Sequence, residues 1–403
     1  MRTGTAELPL HYGTAPRWLF TRMSRLASEI AESVVIEHGT LGLLERLSDP
    51  FWFQAVGCVL GFDWHSSGLT TTTCGALKEG IRGREEELGL FVAGGKGATS
   101  RKTPSEISAR CGRLGVDAAP LIYASKTSAK VDSAAVQDGY QLYHHVFLFD
   151  RDSNWAVIQQ GMSVSTHMAR RYHWLSTSTA SFVCEPHAAV CCDARSEVLN
   201  LVALESEAAR RAVHEVARRS PQEVAGELCH LPHLTLPRRH PVMATDIDPK
   251  RLDGILLKTY QAQPDGFESL LTLSGVGPKT MRALTMVAEL IYGAAPSFED
   301  PARYSFAHGG KDGTPYPVDR ALYDRTIDLL GRAIRRARFD RDEELSALRR
   351  LERAFTGNPL ATQARPHTSL GSRSRAAGSG PRRAEATAGG SKETRPLELF
   401  SSS

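Results

Sequence analysis

The chain has 403 residues, of which 41% are hydrophobic and 23% charged, and its formal net charge is +4. A single hydrophobic core stops growing at roughly 250 to 300 residues, so this length predicts two compact domains. No stretch approaches the roughly 18 uninterrupted apolar residues that a membrane span requires. The first residues lack the pattern of a secretory signal, so we expect a cytoplasmic protein with no membrane partner.

The seven cysteines are odd in number and never spaced as CxxC, which argues against a disulfide framework and a zinc ribbon. The neighbours Cys191 and Cys192 are compatible with redox or metal chemistry, but buried packing is the commoner role of such thiols. Cys229 stands near three histidines in a segment whose prolines break any helix and whose spacings fit no zinc pattern. The sequence therefore predicts no metal site.

Residues 1–190 are predicted to form an α+β domain that mixes short helices with apolar strands. Its clearest element is a β-hairpin, because apolar runs at 145–149 and 155–158 flank the turn-forming residues 150–154.

The same domain holds a candidate site made of Asp63, His65 and Lys96. Asp63 and His65 lie in a segment that groups a carboxylate, an imidazole and hydroxyls, which is the material of acid–base chemistry. Lys96 lies in the segment Gly-Gly-Lys-Gly, whose backbone amides are suited to cradling a phosphate. A structural histidine beside Trp64 is an equally good interpretation.

Residues 191–355 are predicted to form an all-α domain, since Pro and Gly divide them into helical segments such as 197–219 and 319–336. Ser220 followed by Pro221 and Glu223 has the pattern that starts a further helix.

Residues 356–403 are predicted to form a disordered basic tail, because they are too poor in large apolar side chains to offset the entropy of ordering. From Phe355 onward the chain has seven Lys or Arg and three Asp or Glu, so this tail accounts for the whole net charge. The part predicted to fold is neutral overall, and its charge alone gives no support for nucleic-acid binding.

The segment from Phe267 to Gly293 predicts two helices joined by a very short connection, with Gly275 and Gly277 permitting the tight turn. Glycine lets backbone N–H groups approach a phosphate, and the positive end of the following helix adds to the attraction. We therefore predict contact with double-stranded DNA. The candidate DNA-binding residues are Gly275, Val276, Gly277, Lys279 and Thr280. A purely structural corner between two helices is the alternative.

The run from Leu273 to Thr280, LSGVGPKT, followed by YPVDR at residues 316–320, resembles the helix-hairpin-helix DNA glycosylase superfamily. The resemblance implies that Lys279 is the nucleophile of a lyase reaction and that Asp319 is the catalytic carboxylate. No cysteine cluster of the kind that holds an iron–sulfur group follows Asp319, so we expect no cofactor. Two other roles remain open: Lys279 as a partner of a phosphate, and Asp319 as the cap of the following helix.

Across almost its whole length the chain also resembles a family of archaeal and bacterial proteins described as domain of unknown function 763. The resemblance rests on LPLHYGTAPRWLFTRM (residues 8–23), on residues 49–80, on GGKGATSRKTP (residues 94–104) and on NWAVIQQGM (residues 154–162). It implies no activity.

An apolar cluster near the end of the tail resembles the short peptide by which bacterial repair and replication proteins bind the sliding clamp. Its members are Leu397, Leu399 and Phe400, although Pro396 stands where glutamine is usual. A disordered segment that presents a hydrophobic peptide is a common binding arrangement. A chance cluster is the alternative.

Together these patterns predict a DNA-binding protein that repairs DNA by cleaving N-glycosidic bonds of damaged bases, a base-excision hydrolase with possible lyase activity. One alternative is a DNA nuclease whose active site lies in the N-terminal domain. The other is a DNA-binding protein without enzymatic activity.

Overall fold

The computed structural model describes residues 15–62, 66–192, 196–230, 249–302, 320–336 and 341–356. It is a mixed α+β structure with a β-sheet in the N-terminal half. Its helices up to the end of the sheet are α1 (Arg17–Ser48), α2 (Pro50–Leu60), α3 (Gly68–Gly80), α4 (Glu85–Leu88), α5 (Thr103–Leu114) and α6 (Ala119–Lys130). The later helices are α7 (Glu207–Arg218), α8 (Pro221–His230), α9 (Pro249–Ala262), α10 (Phe267–Thr272), α11 (Pro278–Tyr292), α12 (Arg320–Arg336) and α13 (Arg341–Thr356).

Five antiparallel strands form the main sheet, in the order β1-β3-β4-β5-β6. The strands are β1 (Leu90–Lys96), β2 (Val136–Gln137), β3 (Gln141–Asp150), β4 (Trp155–Met162), β5 (Ala169–Leu175), β6 (Ala189–Cys191) and β7 (Leu199–Asn200). The predicted β-hairpin is confirmed as β3 and β4. Its turn is held by the Asp150 carboxylate, which accepts hydrogen bonds from the backbone N–H groups of Asp152 and Asn154 at 2.9 Å.

Each face of the sheet is covered by its own set of helices, because successive side chains of a strand point to opposite faces. Val92 and Val146 pack with α1, α2 and α3, whereas Phe91 and Phe147 pack with α5, α6 and the helices that follow the sheet. The sheet is therefore a central layer with apolar contacts on both sides.

Residues from both predicted domains contribute to both hydrophobic clusters. Leu330 of α12 belongs to the cluster of α1 and α2, and Leu284 of α11 belongs to the cluster of Phe147. The part predicted to be all-α also contains β7, which pairs with β2 and satisfies backbone groups that have no helical partner. The division into domains at residue 190 stays a prediction.

Several predicted helix boundaries are confirmed in the C-terminal half. A helix was predicted at 319–336 and α12 spans Arg320–Arg336. At the start of α8 the Ser220 and Glu223 pair bonds reciprocally, with Glu223 N donating to Ser220 Oγ and Ser220 N donating to Glu223 Oε2. The helix predicted from residue 197 begins only at Glu207, because β7 and a short 3-10 turn precede it.

None of the helices within the described ranges has the length and apolar character needed to cross a membrane. The predicted disordered tail and its cluster Leu397, Leu399 and Phe400 lie outside the described residues.

Candidate nucleic-acid interface

A five-residue loop, residues 273–277, connects α10 to α11. The N–H of Val276 donates to the carbonyl of Leu273 at 3.2 Å, which closes a tight turn. Gly275, inside this turn, has a φ of 78°, a conformation that glycine adopts without strain. Val276 is 1% exposed and packs into the core, so it anchors the loop while Ser274 and Gly275 remain exposed.

Gly277, the last residue of the loop, is a different case. Its φ is −136°, which any residue can adopt, and a Cβ placed there would meet nothing within 4 Å. The fold therefore does not require glycine at this position.

Two lysines from distant parts of the chain lie against the loop. The Nζ of Lys258, on α9, occupies the space that a Cβ on Gly275 would take. The Nζ of Lys130, at the end of α6, donates to the carbonyl of Val276 at 2.5 Å. Burial lowers the pKa of Lys130, and the nearby charge of Lys258 lowers it further. The amines of Lys130 and Lys258 therefore both lie directly against the loop.

Gln137 connects the start of α11 to the sheet side of the molecule. Its Nε2 donates to the carbonyl of Pro278 at 2.9 Å, and its Oε1 accepts a hydrogen bond from Nε of Arg282 at 2.9 Å. Both contacts bring residues of the first turns of α11 against the segment that follows α6. The loop itself is therefore held by Lys130, and the helix that follows it is held by Gln137.

The first turn of α11 leaves backbone N–H groups free to bind an anion. Pro278 has no N–H, and the first N–H that the helix itself satisfies is that of Met281, which donates to Gly277 O at 2.9 Å. The positive end of the helix dipole lies at the same place. We define the candidate interface as the 273–277 loop together with Lys130, Lys258, Lys279 and Arg282.

One face of α11 packs inward. Met281, Leu284, Val287 and Ala288 are each 0% exposed. Thr280 is also buried, at 8% exposure, so its side chain is not available on the surface. Lys279 lies on the opposite, exposed side of the first turn.

The structure describes only one member of the predicted catalytic pair. Lys279 is exposed in the first turn of α11, a position that suits an ionic contact with a phosphate. Asp319 directly precedes α12 and lies outside the described residues. The joint catalytic role of Lys279 and Asp319 stays a prediction.

Of the three candidate residues in the N-terminal half, Asp63 and His65 lie outside the described residues. Lys96 is the last residue of β1, and its Nζ lies 5.8 Å from the ring centroid of Tyr143. The expected phosphate cradle around Lys96 is partly occupied by the protein, because the N–H of Gly94 donates to the Glu106 carboxylate at 3.0 Å.

Lys130 and Lys258, and Gln137 that bonds the start of α11, were not predicted from the sequence. They lie on α6, α9 and β2, respectively, and no local motif marks them. Only the packing of these elements around the loop brings them together.

Residues 4–318, which include the whole candidate interface, match a protein family described as "Protein of unknown function (DUF763)". The chain belongs to this family. The description of the DUF763 family states no activity, and neither a curated protein nor a solved structure matches the chain. The case for a function therefore rests on the geometry and chemistry of the chain itself.

Proposed function

We propose that the chain binds double-stranded DNA without sequence preference and holds the DNA backbone at the candidate interface, with α10, the 273–277 loop and α11 acting as a helix-hairpin-helix element. The observation that carries this proposal is Gly277, because neither its backbone nor its packing requires glycine. Ser, Asp or Asn would cap α11 better than glycine does. Glycine is the residue that lets another backbone approach most closely.

The charges around the loop support the same ligand. Lys258 and Lys130 lie against the loop, and Lys279 is exposed beside it on α11. Contacts from lysines, backbone N–H groups and helix N-termini to phosphate oxygens position a protein on DNA and carry no sequence information. This is why we propose backbone binding without sequence preference.

The test is a salt titration of DNA binding by the full-length chain, with a short fluorescein-labelled duplex followed by fluorescence anisotropy. Affinity is expected to fall steeply between about 50 and about 200 mM salt. Lys258→Ala and Lys279→Ala are each expected to weaken binding on all sequences and to reduce the slope of log K against log salt by about 1.

The matched control is Arg113→Ala, which removes an exposed cation on α5. It should leave the affinity and the salt slope unchanged. Equal behaviour of Lys258→Ala and Arg113→Ala would refute the interface.

We further propose, from the motif around Lys279 and Asp319, that the bound DNA is a substrate for base excision. An amine can attack the anomeric carbon and form an imine, and a nearby carboxylate can stabilise the oxocarbenium character of the sugar. The target base would have to be flipped out of the duplex. The position of Lys279, two residues after the loop that would hold the backbone, favours this interpretation.

Base excision is tested with duplexes that carry deaminated, oxidised or alkylated bases, with borohydride added to trap an imine. Excision that is lost in Asp319→Asn, and trapping that is lost in Lys279→Ala, are the expected results. Absence of excision from every duplex would leave DNA binding as the whole of the proposed function. A sliding-clamp partner for Leu397, Leu399 and Phe400 is tested separately, by clamp binding of the chain with and without residues 396–403.

A further inference from the structure

A buried carboxylate below the main sheet is held by three donors. Asp132 is 0% exposed and lies in the π-helical turn Val131–Ala135 that follows α6. The Nε2 of Gln159 and the Nε1 of Trp174 donate to its Oδ2 at 2.5 and 2.9 Å, and the Nε2 of His187 bonds to its Oδ1 at 2.5 Å. π-helical turns are rare and are frequent at functional sites. The carboxylate is thereby fixed in one orientation.

The third donor, His187, is oriented by this contact. A carboxylate accepts hydrogen bonds, so the proton of the neutral imidazole lies on Nε2 and the lone pair lies on Nδ1. Within the described part of the chain, Nδ1 of His187 has no hydrogen-bond partner. The rings of Trp174 and His187 pack edge to face, with their centroids 4.6 Å apart and an interplanar angle of 62°. The lone pair on Nδ1 is thus held in a fixed orientation.

His187 lines a cavity of about 70 Å³, together with Glu185, Asn200, Val202 and Pro301. Since the share of one water molecule in the liquid is about 30 Å³, the cavity has room for a few water molecules. It is much smaller than the roughly 300 to 1,000 Å³ of a small-molecule pocket. The cavity therefore suits a water nucleophile, and a substrate has to lie at its mouth.

The cavity and the candidate interface share one segment of chain. Lys130 bonds the loop at Val276, and Asp132 follows two residues later, a span of at most about 7 Å of chain. Gln137 bonds Pro278 at the start of α11, and its neighbour Val136 pairs with Asn200 of the cavity wall. Residues 130–137 therefore connect both sites.

We propose that Asp132 and His187 form a general-base pair that activates water for hydrolysis of a phosphodiester bond in DNA. The proposal rests on DNA binding at the candidate interface. Phosphodiester cleavage fits better than base excision at this cavity, because the interface would present the backbone and the cavity has no room for a flipped base. This assigns an active site to the N-terminal half, at residues that no sequence motif marks.

The step balances as follows. Nδ1 of His187 takes a proton from water while the water oxygen forms a bond to phosphorus. The bond from phosphorus to one ester oxygen breaks, its electron pair stays on that oxygen, which takes a proton from solvent water, and the imidazolium then releases its proton to solvent. One water is consumed, and the products are a phosphate monoester and a hydroxyl. Asp132 acts as a positioning residue, which holds the ring and stabilises its charged form.

The experiment measures strand cleavage and DNA affinity in parallel, with the full-length chain and a fluorescent duplex, both with EDTA and with added Mg²⁺. His187→Gln is the informative variant, because the glutamine amide can replace Nε2 as a donor to Asp132 but has no basic lone pair. We expect unchanged affinity and a kcat lowered about 100-fold or more. His167→Gln, an exposed histidine, is the control and should cleave like the unchanged chain.

Chemical rescue separates a catalytic from a structural role. Added imidazole should restore part of the cleavage by His187→Ala, and it should do nothing for His187→Gln. Asp132→Asn should lower kcat with unchanged affinity; if it does not fold, the two His187 variants decide the question. Cleavage that is equal in the unchanged chain and in His187→Gln overturns the proposal.

The remaining outcomes separate this proposal from the proposed function. DNA binding without strand cleavage overturns the general-base pair and leaves the interface intact. Release of a base without strand cleavage overturns it as well and supports base excision. Cleavage without any dependence on Lys258 refutes the interface on which the proposal rests.

Discussion

The amine of Lys130 donates to the carbonyl of Val276 at 2.5 Å and so ties the end of α6 to the loop between α10 and α11. The two residues are far apart in sequence, and one lies in each predicted domain. The contact fixes the loop against the layer of helices that covers the sheet. It also places a positive charge directly behind the residues that would face a DNA backbone.

The two glycines of the loop are expected to respond differently to alanine. Gly275→Ala should lower the free energy of unfolding by about 1 to 2 kcal/mol, because its φ is 78°. Gly277→Ala should lower that free energy by at most about 1 kcal/mol, because its φ is ordinary and its Cβ meets nothing, so that the remaining cost is that alanine is a poorer N-cap of α11 than glycine. Urea unfolding measures both values.

DNA affinity is the second readout for the same pair of variants. If DNA approaches Gly277 closely, Gly277→Ala should weaken binding of a duplex although the protein stays folded under the conditions of the assay. A Gly277→Ala protein that binds DNA as well as the unchanged chain would remove the main support for the interface.

Removal of Arg170 is expected to be strongly destabilising. Its guanidinium is buried and bonds Asp138 at 2.9 Å and Asp300 at 2.7 Å, so it joins the segment after α11 to the sheet. Arg170→Met leaves two carboxylates without this cation and should cost about 3 to 5 kcal/mol in urea unfolding. Arg211→Met removes an exposed ion pair with Glu207 and should change stability by less than about 1 kcal/mol.

Stability should fall as the pH is lowered below about 6.5. Burial lowers the pKa of His145 from 6.5 to about 4, so the unfolded chain binds a proton in this interval that the folded chain does not. The contribution of His145 to the free energy of unfolding is fully present above pH 6.5. It decreases by roughly 3 kcal/mol as the pH is lowered to about 4. Urea unfolding at several pH values measures the slope.

His145→Gln should make this slope shallower than in the unchanged chain. Replacement of the exposed His167 by Gln should leave the slope as it is. A slope that does not differ between the two variants would show that His145 is not held neutral in the folded protein.

Leu330 tests whether α12 shares a core with α1 and α2. It is 0% exposed in their cluster, so Leu330→Ala should cost about 2 to 5 kcal/mol and lower the midpoint of a single thermal transition. Leu345→Ala, on α13 and 42% exposed, should change stability by at most about 0.5 kcal/mol. Two separate transitions, of which only one responds to Leu330→Ala, would mean that the halves fold independently.

Some features of this protein follow from local sequence alone. The β3–β4 hairpin and the start of α8 were predictable, because turn residues and caps act over a few neighbouring residues. The two glycines of the loop and Lys279 of α11 were recognisable for the same reason. The sequence alone also shows that the chain belongs to the DUF763 family.

Other features were decided only by the tertiary structure. Lys130, Lys258 and Gln137 reach the loop from three separate elements, and Asp132 meets His187 across 55 residues of chain. Such contacts depend on how helices pack on the sheet, which no local pattern encodes. Length, composition and motifs determined which elements form and which loop is predicted to contact DNA. Packing decided which distant charges surround that loop and which buried carboxylate orients a histidine, because burial and distance arise only when the chain is folded.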